Sequence, residues 1–417
     1  MLSELDRKLE RYERIYGCQG NETTPGSRLE GLIHRAFEKT GRQVVVLIDE
    51  YDYPLLDVNN SQLSILRDVM QNFYAPLKPC DEFLRFVFLT GITKFSQLSI
   101  FSKLNNISNI SMDEAYSGIC GITDEELHTQ MSYDVELLAK YSEVTTDEMY
   151  SILKQNYDGY HFSPKSPDIY NPYSLLSAMF HRNIRAYWFS NGTPTSLIKS
   201  IKEFNLNPTD IKDIQLKASG FDTPTDTART AYPLLYQSGY LTITSYDKEL
   251  DVYTLNIPNK EVNVGLMENL LPMYVNDADH VAVMSEYISR DISLGDIDGA
   301  LSRIQKYFLT IPYCNNAKSE GHYQRLFYTI LSLSIKIPKN LIIEDHTAKG
   351  RIDLTIITSS AIYIIEFKVS GTAKAALEQI NEKNYAARYT LHNLPIVKVG
   401  IAFDTTSATI EEWVTER

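Results

Sequence analysis

The stretch GRIDLTIITSSAIYIIEFKV at residues 350–369 constrains the fold of this chain more than any other. Two apolar runs flank a Ser-Ser turn, so residues 351–358 and 361–369 are expected to pair as neighbouring strands. In the second strand, period-two geometry puts Ile362, Ile364, Glu366 and Lys368 on one face and Tyr363, Ile365 and Phe367 on the other. Both faces are otherwise apolar, which is the pattern of a central strand. A carboxylate and an ammonium buried there are costly unless they are paired or bound to a metal. A short hairpin also brings Asp353 beside Glu366.

Two carboxylates and a lysine at one end of a sheet suit phosphodiester hydrolysis. Asp353 and Glu366 are expected to hold Mg²⁺ or Mn²⁺, a hard cation that takes oxygen ligands and keeps several waters. Such an ion lowers the pKa of a bound water and neutralises charge developing on phosphorus. Lys368 is placed to orient that water or to stabilise the transition state. Glu320, at the start of EGHYQRLFY, is a further acid for the metal shell. The same residues have a structural alternative, a buried Glu366–Lys368 or Asp353–Arg351 salt bridge with no catalytic task.

Periodicity extends this picture to an α-β-β-β-α-β order. A helix is expected over residues 319–334, strands over 341–344, 351–358 and 361–369, a helix over 373–389 and a closing strand over 396–403. Near the other end, QVVVLIDE at residues 43–50 is an apolar run read as a buried parallel strand. A helical stretch leads from it to a second strand over 83–89, closed by Thr90 and Gly91, which makes a βαβ unit. Residues 124–202 read as helical and rich in tyrosine, as core material rather than a stacking platform. Residues 234–255 alternate like a hairpin, and helices fill 260–308.

Glu320, GRID, IIEFK and ALEQINEKNY resemble the PD-(D/E)xK nuclease superfamily, in the branch fused to a predicted AAA-ATPase-like domain. The resemblance also covers VVVLIDEYDYPLLD, FVFLTGITKFSQLSIFSKLNN, YDGYHF, YNPYSLL and LLYQSGYLTI, so it spans nearly the whole chain. It implies a restriction-endonuclease-like C-terminal fold, with Asp353 and Glu366 as metal ligands, Lys368 as the catalytic lysine and Glu320 as the helix acid. Gln379 and Tyr385 match the helix that faces the site in related nucleases. Ile352 stands where the family's motif has proline.

In the ATPase-like half, Asp49 and Glu50 match a Walker B pair and Thr90 a sensor position. No GxxxxGK[ST] occurs in the chain, and the resemblance puts that loop upstream of Met1, making the chain N-terminally truncated. Without the loop's N–H cradle and lysine, the β- and γ-phosphates lose most of their contacts. ATP is therefore expected as a ligand only if a Walker A segment lies upstream, and hydrolysis is not expected. The strand over 44–50 would then expose an apolar edge or face, a route to self-association.

The expected fold class is α/β: a remnant P-loop/AAA-like parallel sheet (1–127), a helical middle region with a hairpin (128–310) and a restriction-endonuclease-like domain (315–417). The function expected is Mg²⁺-dependent cleavage of DNA or RNA, with the ATPase-derived module as an inactive regulator. The alternative is a non-catalytic ATPase-like scaffold with a relic nuclease domain. A net charge of −13 argues against coating nucleic acid, but residues 315–417 hold twelve Lys/Arg against eleven Asp/Glu and are the better candidate for contact with it. No apolar run approaches the ~18 residues of a membrane span. The charged N-terminus is no signal peptide, and the scattered cysteines (Cys18, Cys80, Cys120, Cys314) suit free thiols in the cytoplasm. No histidines stand at metal-ligand spacing, His161 and His322 included, so zinc is not expected.

Overall fold

The computed structural model describes residues 2–55, 58, 60–91, 106–188, 197, 201, 203–204, 206, 210–223, 228–270, 278–308, 320–333, 341–347, 350–369, 371–404 and 409–417. Residues 92–105 of the FVFLTGITKFSQLSIFSKLNN stretch, Cys314 and the side chains of Glu320 and His322 lie outside the described residues.

Helix Leu2–Tyr16 lies against helix Pro25–Thr40, and Arg28 ties them by donating to Asp6 at 2.6 Å and to Glu13 at 2.7 Å. The second helix starts at a Thr24–Ser27 capping box with proline in its first turn, and it stops at Gly41, whose φ of 64° suits glycine. Strands β1 (Val44–Ile48) and β2 (Leu84–Leu89) then pair in parallel, with helix Asn60–Tyr74 between them in sequence. The expected βαβ unit is present as a two-stranded sheet.

One feature of it differs from expectation. Val44, Val46 and Ile48 pack towards Ile33, Met70 and Leu77, but Val45, Leu47 and Phe86 are 52%, 68% and 54% exposed. The strand is buried on one face rather than two. Among the described residues the helices cover only one side of this small sheet.

The middle region is helical where expected. Helices Asp124–Gln130 and Thr146–Tyr157 begin at capping boxes, Thr123 with Glu126 and Thr145 with Glu148. The short strands β3 (Ile122–Thr123) and β4 (Ile169–Tyr170) pair beside them, and Asn171 caps helix Pro172–His181. Tyr157, Tyr160 and Tyr170 are buried, so these aromatics are core. Gly159 (φ 96°) sits where a Cβ would lie 2.3 Å from the Pro258 carbonyl oxygen.

The hairpin begins later than its alternation suggested. Pro233 starts helix Tyr232–Gln237, and the strands are β6 (Thr242–Asp247) and β7 (Val252–Asn256), joined by β5 (Ile214–Leu216) on the other edge of β7. Helices Lys260–Leu270, Ala278–Ser293 and Ile297–Phe308 follow.

The C-terminal sheet follows helix Glu320–Ser332 and has the order β12-β11-β10-β9-β8, so β10 is central as expected. Its strands are β8 (Leu341–Thr347), β9 (Gly350–Ile357), β10 (Ile362–Lys368), β11 (Ile396–Asp404) and β12 (Thr409–Glu416). Strand β12 was not anticipated; it pairs antiparallel to β11. The helix after β10 is shorter than expected, Ala373–Glu382, because Asn384 (φ 52°) turns the chain into a 3₁₀ segment, Tyr385–His392. The two faces of β10 separate as read: Ile362 and Ile364 pack with Ile380 and Tyr385, while Tyr363, Ile365 and Phe367 join the larger core with Phe327. Among the described residues no helix is long and apolar enough to cross a membrane.

Candidate active site

The antiparallel β9–β10 ladder runs to Ile365 opposite Leu354, and one further step places Glu366 opposite Asp353. On its other side β8 pairs Ile343 with Leu354 and Asp345 with Ile352 in one register, so Asp353 lies inside strand β9, between β8 and β10. Side chains also take up backbone groups here, as buried amides require. The Phe367 N–H donates to Asp353 Oδ2 at 2.8 Å, and Gln324 Nε2 donates to the Asp353 carbonyl at 2.8 Å. These two bonds tie Asp353 to β10 through its carboxylate and to helix Glu320–Ser332 through its carbonyl.

Glu366 is 2% exposed, and the Gln379 side-chain amide donates to its Oε1. Gln379 reaches it because helix Ala373–Glu382 approaches the sheet at Gly400, the β11 partner of Glu366. A Cβ on Gly400 would lie 2.1 Å from the Ala373 carbonyl oxygen and 2.8 Å from the Leu377 nitrogen, so only glycine permits this approach. Tyr385 is buried and donates to the Arg351 carbonyl at 2.9 Å. Burial, and then the charges of Glu366 and Asp353, push its hydroxyl pKa up, against the opposing Gln379 amide, so the phenol stays neutral.

Lys368 ends β10 two residues beyond Glu366 and is half-buried. Glu320 is the first residue of its helix, one turn before Gln324. Asp353, Glu366, Gln379 and Tyr385 thus come together at one place, with Lys368 at the same strand end. Gln324 was missed by sequence reasoning. Its signal was the four-residue spacing from Glu320, which puts both on one helix face.

The donor set fits a hard divalent cation: the two acids on neighbouring strands both offer carboxylate oxygens. The second group of expected residues also meets. The β1–β2 register pairs Ile48 with Leu89, which sets Asp49 beside Thr90 at the carboxyl ends of both strands. The Thr90 hydroxyl and the Glu50 N–H both donate to Asp49 Oδ1, the latter at 3.0 Å. Glu50 has a φ of 52° and, like Asp49, is exposed. Asp52, by contrast, is buried, and a Cβ on Gly91 would lie 2.5 Å from its Oδ1.

A family model described as PD-(D/E)XK nuclease superfamily matches residues 318–413, and one described as predicted AAA-ATPase matches residues 1–101. An uncharacterized protein in the vnfD 5′ region of Azotobacter chroococcum mcd 1 is 32% identical over 422 residues, which covers 97% of this chain and 78% of that protein. The chain belongs to the family that joins these two parts. Glu320, Asp353, Glu366, Lys368 and Gln379 all fall within its PD-(D/E)XK region, and Asp49, Glu50 and Thr90 within its AAA-ATPase-like region. No solved structure matches the chain.

Proposed function

We propose that this protein is a Mg²⁺- or Mn²⁺-dependent nuclease that hydrolyses phosphodiester bonds of DNA or RNA. The observation that carries this reading is the juxtaposition of Asp353 and Glu366 on the neighbouring strands β9 and β10. Two acids held together in a sheet interior repel each other, and a divalent cation relieves that repulsion. Asp353 and Glu366, joined by Glu320, would hold the ion, which supplies a bound water of lowered pKa and a Lewis acid for the phosphate.

The chain's own groups orient this machinery. The Phe367 N–H fixes the Asp353 carboxylate, and the Gln379 amide fixes that of Glu366. Lys368 brings a positive charge to the strand end, where it stabilises charge developing on the scissile phosphate. Neutral Tyr385 walls the acids from the side of the 3₁₀ segment.

We read residues 1–127 as an ATPase-derived module, 128–310 as the connecting region and 315–417 as the nuclease domain. In the first, Asp49, Glu50 and Thr90 form a nucleotide-sensing corner with no ATP turnover of its own, and the exposed β1–β2 face supports self-association. The protein works on nucleic acid in the cytoplasm.

The test is calorimetry with Mn²⁺ on the full chain, alongside cleavage of single- and double-stranded DNA and RNA. Asp353→Ala and Glu366→Ala are expected to abolish both metal binding and cleavage. Lys368→Ala is expected to keep the metal and lose cleavage by roughly 10²-fold or more. A wild-type chain that binds no divalent ion, with an Asp353→Ala variant that is stabilised and loses no activity, would overturn the proposal in favour of a relic domain.

A further inference from the structure

Helix Pro25–Thr40 carries Glu30 and His34 one turn apart, so both project from the same face. That face meets the turn after helix Asn60–Tyr74, where Cys80 is fully buried. A carboxylate oxygen of Glu30, a ring nitrogen of His34 and the Cys80 sulfur lie within 4.8 Å of one another. Among the described residues, no other three His, Cys, Asp or Glu groups bring their ligand atoms so close together. The His34 ring also packs on Phe83, with centroids 4.4 Å apart, so packing sets its orientation.

We propose that Glu30, His34 and Cys80 bind a divalent transition-metal ion of the zinc class, clamping helix Pro25–Thr40 to the turn that leads into β2. The donors are one oxygen, one nitrogen and one sulfur, a set suited to Zn²⁺ or Co²⁺ and not to Mg²⁺ or Ca²⁺. Metal–ligand bonds of about 2.0–2.3 Å in a tetrahedral shell separate ligand atoms by roughly 3.3–3.8 Å. A contraction of about 1.5 Å or less, within reach of the Glu30 side chain, therefore closes three corners of that shell. The fourth corner falls to water. Burial, and then the Glu30 charge, push the Cys80 thiol up to about 11, so it is protonated at neutral pH until a metal displaces the proton.

The site stands apart from the acids of the C-terminal sheet and differs from them in chemistry. Its role is structural: the turn it holds runs directly into β2, whose far end carries Thr90 beside Asp49.

The test strips the full chain with a chelator and titrates it with Co²⁺, following the thiolate-to-cobalt charge-transfer absorption in the near ultraviolet. One equivalent per chain is expected, with the band displaced by Zn²⁺ and an accompanying rise in Tm. Cys80→Ser should remove the band, and His34→Gln should weaken Co²⁺ binding by about ten-fold or more. Asp353→Ala should leave both unchanged, which separates this site from the proposed nuclease centre. Should Cys80→Ser fail to fold, His34→Gln decides: an unchanged Co²⁺ affinity there overturns the proposal. So does the absence of a band in excess Co²⁺, or a band that survives in a folded Cys80→Ser chain through another cysteine.

Discussion

Gly400 and Gln379 act on the same carboxylate from two directions. Gly400 lets helix Ala373–Glu382 come down on β11, and the helix carries Gln379 onto Glu366. A side chain at Gly400 meets backbone rather than a flexible side chain, so the helix must lift. Gly400→Val is expected to cost about 1–3 kcal/mol in urea unfolding and to weaken Mn²⁺ binding in the same calorimetry, because the amide leaves its carboxylate. A second residue gives a pH signature. Glu261 is buried and accepts the Trp188 N–H at 2.9 Å; burial raises its pKa above the ordinary 4.5, in spite of that bond. The folded chain then holds the proton where the unfolded chain has already released it. Stability from this group is full below 4.5 and declines as pH rises through the raised value. Urea midpoints followed from acid to neutral pH should fall for the wild type with a steeper slope than for Glu261→Gln.

At the scale of elements, the helices of the middle region owe their starts to local chemistry. The Glu148 N–H donates to the Thr145 hydroxyl at 3.3 Å, and the Thr145 N–H donates back to Glu148 at 2.8 Å. Thr145→Ala should therefore cost about 1 kcal/mol, read as a lower urea midpoint with an unchanged slope. Strand β1 follows another logic. Its period-two pattern half-buries Val44, Val46 and Ile48, but nothing among the described residues covers Val45 and Leu47. An apolar sheet face of this kind invites association. We expect the wild-type chain to associate at high concentration in light scattering, and the double variant Leu47→Lys, Phe86→Lys to remain monomeric. A monomeric wild type would remove the self-association proposal.

Across the whole molecule, the C-terminal sheet shares its core with what precedes it. One apolar cluster runs from Tyr160 through Ile288, Ile304 and Phe308 to Phe367 and Ile401. Polar contacts follow the same route: Tyr363 donates to the Ile292 carbonyl at 3.0 Å, Gln305 to the Ile410 carbonyl at 2.8 Å and the Trp413 indole to Asp298 at 2.8 Å. A fragment of residues 315–417 would lose Phe308 from the faces of Phe327 and Phe403, and the Ile292 carbonyl from Tyr363. Burying an aromatic or aliphatic side chain is worth about 1.5–3 kcal/mol, so the loss of several such contacts exceeds what a small domain can spare. The fragment should show shallow, weakly cooperative unfolding by circular dichroism, whereas a fragment starting before residue 260 should unfold cooperatively. Nuclease assays therefore belong on the full chain.

What the sequence determined by itself was local and periodic. The alternation in residues 361–369 placed Glu366 and Lys368 on one face of a central strand, and the short Ser-Ser turn set the register that puts Asp353 opposite Glu366, since turn length fixes which residues pair. The βαβ unit at the other end was legible for the same reason, with Asp49 and Thr90 at its strand ends. Tertiary structure decided everything that rests on contact between distant segments. Residues 234–237 alternate yet form a helix after Pro233, because packing outweighs a short pattern. The edge strand β12 and the short helix ending at Glu382 depend on β11 and on Asn384, which no periodicity announces. Gln324 at the Asp353 carbonyl depends on how a helix crosses the sheet, and Gly400 matters only because a helix lies over it. Glu30 and His34 stand a helical turn apart in sequence, but Cys80 reaches them only through the packing of a turn 46 residues beyond His34. Spacing along a chain reports which side chains share an element's face; which faces meet is settled by the burial of the whole core.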